Sequence, residues 1–209
     1  MMEKVFGFKL SKIDGSEKIF SSATDKGLPK KYSYQKYLPE VLNQGEMPFC
    51  VPYSLSTYLN WNENLKDGTK KDNKINYQEI YKIKTTEGEG MQIKEALSYL
   101  KHHGVSSKAG NLKINGYAMI RNAFSLKSAI IMNGPCFGAL PVYNESKEFW
   151  NKQVDNQQLM GYHAISIVGY DEEGFIIRNS WGKGFADNGY TKIKNENINK
   201  FVELWCVLK

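Results

Sequence analysis

A chain of 209 residues, 41% hydrophobic and 24% charged, is long enough to bury a sizeable core and too apolar for a disordered protein. Its net charge of +6 sits mostly on scattered lysines, with Lys70-Lys71 the nearest approach to a basic run, so the clustered stripe of a nucleic-acid site is missing. No segment approaches the roughly 18 apolar residues of a membrane span. The N-terminus lacks the apolar core and small-residue cleavage site of a secretory signal, and Cys50, Cys136 and Cys206 are too few and too separated for a disulfide framework. The expectation is a monomer in a reducing compartment, the cytoplasm of a bacterium or host cell or a virion-associated setting, with no membrane and no specific nucleic-acid partner.

Residues 1–37 are a Lys-rich lead-in. Alternation at Phe6, Phe8 and Leu10, a turn at Asp14-Gly15 and a return at Lys18-Ile19-Phe20 predict a β-hairpin, with a short plug over a functional site as the other reading and an irregular connector over Ser21–Lys36. Residues 38–209 form the main domain. A helix is expected from Cys50, with Val51, Leu55, Tyr58, Leu59 and Asn62 on one face and Pro52 in the first turn, where its missing N–H costs nothing. Further helices are expected at Asn76–Lys84, at Ile93–His103 before Gly104, and at Ser125–Met132 before Asn133-Gly134-Pro135. Beyond Pro135 the pattern changes to strands: Phe137–Tyr143, His163–Tyr170, Gly174–Asn179, Gly189–Ile193 and Val202–Leu208. Helices first and strands later predict an α+β arrangement, a helical part over about 45–134 packed on an antiparallel sheet or barrel over about 135–209.

Three local contexts carry chemistry. Cys50 stands at the mouth of its helix, where the helix dipole and a neighbouring imidazolium would both favour the thiolate. His163 opens the apolar run Ala-Ile-Ser-Ile-Val-Gly and would project from a rigid strand as the base. Asn179, sixteen positions later, would accept a hydrogen bond from the imidazole and hold its orientation, with Trp181 covering the pair. Gln44, six positions before Cys50, would join the Cys50 N–H in an oxyanion hole. His102 and His103 end a helix and are expected to be structural or solvated, and Cys136 and Cys206 to be inert strand thiols. No Cys or His spacing suits a metal, and no cofactor is expected.

Gln-Gly-x4-Cys, then Tyr-His-Ala-x4-Gly-Tyr, then Asn-Ser-Trp-Gly-x6-Gly-Tyr resembles the papain-like cysteine peptidases over about Leu38–Lys194. The resemblance implies Cys50 as nucleophile, His163 as general base and acid, Asn179 as orienter and Gln44 as oxyanion donor, in a two-lobed fold with the cleft between a helical lobe and a β lobe. It implies peptide or protein substrates, their backbone docking on a glycine-containing segment here represented by Gly88 and Gly90. Gly161 and Met91 would shape the pocket beside the cleaved bond, Trp181 would line the site, and Glu87 and Glu89 would favour basic residues nearby. The departures are Met47 in place of a disulfide cysteine, Val51 in place of a tryptophan after the nucleophile, Phe185 where a second tryptophan is common, and a short lead-in. They resemble divergent intracellular, bacterial or phage-type members. The same residues would serve an exopeptidase, an acyl transferase or a deamidase. A papain-fold protein that has lost catalysis is the reading from another class.

Overall fold

The computed structural model describes residues 6–21, 27–85 and 87–209. The portions of the lead-in at 1–5 and 22–26 lie outside the described residues. A two-residue strand, Tyr32–Ser33 (β1), precedes the long helix Cys50–Asp67 (α1), which ends on Gly68 in the left-handed conformation. The helices Tyr77–Lys82 (α2) and Ile93–His102 (α3) follow, then a small hairpin of Val105–Ser107 (β2) and Gly110–Leu112 (β3). Gly116–Met119 (β4) and the helix Ala123–Asn133 (α4) lead into Cys136–Val142 (β5), Gly161–Tyr170 (β6), Phe175–Arg178 (β7), Tyr190–Ile193 (β8) and Glu203–Leu208 (β9).

The main sheet runs β4-β9-β5-β6-β7-β8 with every pair antiparallel, and β1 adds to β6 beyond a register shift at Ile167/Gly169. Strands β4 and β8 stand at the two ends of this path, so the structure resolves the choice between sheet and barrel in favour of an open sheet. The α+β expectation holds, but not the clean division into a helical first half and a β second half. Strand β4 precedes α4 and still joins the main sheet, through β9. Its sequence, Gly-Tyr-Ala-Met, has no β-branched residue to announce it.

Strand β6 is the centre of the sheet and is buried from His163 to Tyr170. It packs against both α1 and α4, which is why its sequence reads as a continuous apolar run rather than an alternation. Helix α1 is likewise more than a one-faced surface helix. Val51, Leu55, Tyr58, Leu59 and Trp61 are buried, and so are Ser54, Ser56, Thr57, Asn60 and Asn64. Buried polar groups need partners, and these bind the helix to its neighbours. The Ser166 hydroxyl donates to Ser54 O at 2.9 Å, Asn60 Oδ1 accepts from Asn73 N–H at 2.8 Å, and Asn64 Nδ2 donates to the carbonyls of Tyr37 and Lys71. Helix α1 is therefore held in place from several directions.

The lead-in departs from its expected form. The arms of the predicted hairpin do not pair with each other: Phe8 bridges Met91 and Ile19 bridges Met119, each in parallel. The turn between them forms as predicted, with Asp14 Oδ1 accepting from the Ser16 amide at 3.0 Å and hydroxyl at 2.6 Å. A hairpin alone leaves its faces wet, whereas these two arms reach apolar surface: Phe8 is buried and Ile19 extends the β4 edge.

Candidate active site

Cys50 is the first residue of α1 and is fully buried. The backbone N–H of Ala164, the second buried residue of β6, points to its sulfur, so His163 and the thiol come together across the α1–β6 contact. Asn179 follows β7, and its Oδ1 lies 2.7 Å from His163 Nε2. The same Oδ1 accepts from the Ser180 N–H at 2.7 Å, which identifies it as the carbonyl oxygen. A carbonyl oxygen only accepts, so Nε2 carries the ring proton and Nδ1 is left as the basic nitrogen.

A second pairing brings in Gln44. The segment around Asn43 bridges Trp181, with Gln44 N–H donating to Ser180 O at 2.8 Å and Gly182 N–H to Leu42 O at 3.1 Å. The Gln44 side chain is buried and held at both ends: Oε1 accepts from the Ser180 hydroxyl at 2.6 Å, and Nε2 donates to Met47 O at 2.9 Å. Ser180 therefore connects Gln44 to Asn179, a role the sequence reading missed although Ser180 lies inside the motif. Trp181 stacks on the His163 ring at 4.6 Å and 27°, covering the histidine rather than lining open space. Phe149 was also missed. It meets His163 at 5.8 Å and Trp181 at 5.0 Å, and Phe185 closes the cluster 5.1 Å from Trp181. Phe149 lies in the loop between β5 and β6, where no local motif marks it.

The chain's own lead-in packs on several of the residues expected to bind substrate. Gly7 O accepts from Met91 N–H and Lys9 N–H donates to Met91 O, each at 3.0 Å. Met91, expected to line the pocket, makes both of these backbone hydrogen bonds and is itself buried. Gly90 contributes by being small: a Cβ there would stand 3.0 Å from the Gly7 backbone. Gly88 faces open space at φ 69°, and its carbonyl accepts from Lys84 Nζ. At Gly161 a Cβ would stand 3.0 Å from the Phe6 side chain, so the expected pocket wall is in contact with the lead-in too. Phe8 packs edge-on against Tyr162 at 6.4 Å. Farther along, the Ser11 N–H donates to the buried carboxylate of Glu203, and Lys94 pairs with Glu17.

From the lead-in, the Gly7 N–H donates to the sulfur. Burial pushes the Cys50 thiol up to about 11, and the N–H groups of Ala164, Val51, Gly7 and Cys50 itself pull only part of the way back. Cys136 and Cys206 are free, buried thiols as expected; burial pushes Cys206 up to about 12 and Cys136 well above its ordinary range. A group whose pKa rises on folding holds its proton more tightly in the native state. Its contribution to stability is complete below the ordinary thiol value of 9.0 and drains as pH climbs through the folded value. The melting temperature is expected to be flat near pH 8 and to fall steeply from pH 9 to 11, Cys50 alone accounting for roughly 3 kcal/mol. A thermal scan that is level across that window would contradict this.

The model of the papain family of cysteine proteases matches residues 56–204, a span that holds His163, Asn179 and Trp181 and begins six positions after Cys50. The gut-specific cysteine proteinase of Caenorhabditis elegans is 31% identical over 99 residues, 44% of this chain and 27% of that protein. Cathepsin Q of Rattus norvegicus is 29% identical over 125 residues, 53% of this chain and 36% of its own length. The chain thus spans little more than a third, or less, of these relatives. Xylellain, a cysteine protease from Xylella fastidiosa, superposes with a TM-score of 0.81 at 20% identity, covering 97% of this chain and 95% of that one, a likeness that establishes the fold. With the family's model matching residues 56–204, most of this chain, and the fold reproduced nearly end to end, this chain belongs to the papain family of cysteine proteases.

Proposed function

We propose that this chain is a cysteine peptidase that hydrolyses peptide bonds through a Cys50 thioester. The observation that carries the reading is the buried His163–Asn179 pair, 2.7 Å apart, set beside a thiol at the N-terminus of an 18-residue helix. His163 Nδ1 takes the thiol proton while the sulfur attacks the carbonyl carbon, and returns it to the departing amine as the C–N bond breaks. A water, deprotonated by the same nitrogen, then attacks the thioester; the acyl product leaves as a carboxylic acid and the thiol is restored. The Cys50 N–H and the second hydrogen of Gln44 Nε2, whose first is on Met47 O, serve as donors to the oxyanion. A substrate backbone docks on Met91 N–H and C=O, where Gly7 and Lys9 dock now.

The lead-in over Cys50 represents a latent state of this peptidase. The Gly7 N–H of the lead-in donates to the sulfur, so the segment sits on the nucleophile as a hydrogen-bond donor. Met47 in place of a disulfide cysteine and three free, buried thiols support placing the protein with the divergent intracellular, bacterial or phage-type members, in a reducing compartment. Among the described residues no helix is long and apolar enough to cross a membrane. Cleavage profiling on a peptide library tests the main reading. The parent chain is expected to cleave and Cys50→Ala to lose at least about 1,000-fold; equal activity of the two proteins would overturn it.

A further inference from the structure

The strand that docks a backbone is connected to the nucleophile's helix by aromatic residues outside every motif. Phe49 and Tyr53 are four positions apart at the start of α1, and the Tyr53 N–H donates to Phe49 O at 2.9 Å. Tyr77 and Tyr81 are four apart on α2, so one turn aligns them on a common face. The two rows mesh: Tyr53 stacks on Tyr77 at 4.2 Å and 19°, and Phe49 on Tyr81 at 4.6 Å and 41°. Phe49 is the residue before Cys50. At its other end, the Tyr81 hydroxyl accepts the Gly90 N–H at 3.0 Å, and Gly90 is the residue before Met91. One side chain thus touches both the neighbour of the nucleophile and the neighbour of the docking residue.

Helix α2 is itself well held. Asn76 Oδ1 caps it by accepting from Glu79 N–H at 3.1 Å, Glu79 accepts from Ser106 N–H at 3.0 Å, and Ile80 is fully buried. The loop from Lys84 to Gly90 has few apolar anchors of its own, its glycines at 88 and 90 both having positive φ. Thr85 is fixed by Glu95 of α3, at 2.9 Å to both its amide and its hydroxyl, and Tyr81 supplies the fixed point at the loop's other end.

We propose that Tyr81 is a positioning residue that sets the Gly90–Met91 docking strand relative to Cys50, for the lead-in and for a peptide substrate alike. The substrate half of this statement rests on the peptidase reading. A neutral hydrogen bond to a backbone amide is worth about fivefold in an equilibrium, and Tyr81→Phe removes that bond while keeping the ring on Phe49.

The test uses the full chain and three readouts: hydrogen exchange at the Gly90 and Met91 amides, Cys50 labelling by iodoacetamide, and kcat/KM on the best library peptide. Iodoacetamide needs the lead-in displaced but does not use the docking strand. Tyr81→Phe is expected to raise exchange and labelling about fivefold. With the lead-in loosened as well, in the Phe8→Ala background, Tyr81→Phe is expected to lower kcat/KM about fivefold, because the substrate then loses the same hold. Phe8→Ala, which loosens the lead-in alone, is expected to raise labelling and kcat/KM together. Parental exchange and labelling in Tyr81→Phe would overturn the proposal. So would hydrolysis rising in step with labelling in that variant, since Tyr81 would then act on the lead-in only. If neither the parent nor Phe8→Ala cleaves any peptide while exchange and labelling respond to Tyr81→Phe, the peptidase reading falls and Tyr81's hold on the docking strand stands.

Discussion

Gly7→Ala is expected to uncover Cys50, raising both iodoacetamide labelling and peptide hydrolysis by well over tenfold relative to the parent. A Cβ at Gly7 would stand 2.1 Å from Pro48 O, 2.3 Å from its carbonyl carbon and 2.6 Å from its Cα. Every one of these atoms is backbone, and Pro48 lies two residues before the start of α1, so the overlap has no soft side chain to absorb it. The lead-in must lift instead. It then loses its two hydrogen bonds to Met91, worth about 1 kcal/mol each, and the burial of Phe8, worth about 1.5–3 kcal/mol. A total of about 4 kcal/mol corresponds to roughly a thousandfold change in occupancy, so tenfold is a conservative threshold. Water returning to the sulfur also relieves the burial that holds the thiol up to about 11, so the labelling rate of the variant should reach half its plateau at a lower pH than the parent's. Lys9→Ala serves as the control, because the exposed Lys9 docks through its backbone and should label at the parental rate. Labelling of Gly7→Ala no faster than the parent would sink the latent-state reading.

The second large effect concerns the base. In the Gly7→Ala background, His163→Ala is expected to reduce kcat by about 100- to 10,000-fold, the range for a positioned general acid–base group. Labelling at high pH should persist, because hydroxide there generates the thiolate without help. Asn179→Ala should cost far less, about tenfold, since the ring loses one hydrogen bond and stays under Trp181, Phe149 and their neighbours. If His163→Ala retains parental turnover at neutral pH, His163 is not the base. If Asn179→Ala costs as much as His163→Ala, orientation by the aromatic cover is negligible and the amide does all of it.

The order and type of the principal elements were legible from residue pattern. The helix from Cys50, the helix from Ile93 and the strand from His163 each begin within two positions of where they were expected. These segments have strong internal signals: a Pro in the first turn, a periodic apolar face, an unbroken apolar run. Strand β4 and the β2–β3 hairpin carry no such signal. They form because partners are available, β9 for β4 and β3 for β2, and availability of a partner is a property of the fold.

The candidate site divides in the same way. Cys50, His163, Asn179 and Gln44 could be singled out by residue type and spacing, because nucleophile, base, orienter and oxyanion donor each demand a particular functional group. What covers and fills that site was not readable. Phe149 reaches His163 from a loop, Ser180 connects Gln44 to Asn179, and Met91 makes the backbone hydrogen bonds to the lead-in, all through contacts between segments distant in the chain. The lead-in is the clearest case. Its alternation announced an extended segment, read as a hairpin in preference to a plug, and local pattern has no means of choosing a strand's partner. The choice was made by tertiary structure: an apolar cleft that buries Phe8, a docking residue with an N–H and a C=O to offer, and a gap over Pro48 that only a glycine fits. The sequence by itself determined which chemistry this protein is equipped for, since that depends on functional groups. Only the tertiary structure decided that its thiol is covered by its own chain, since that depends on which surfaces meet.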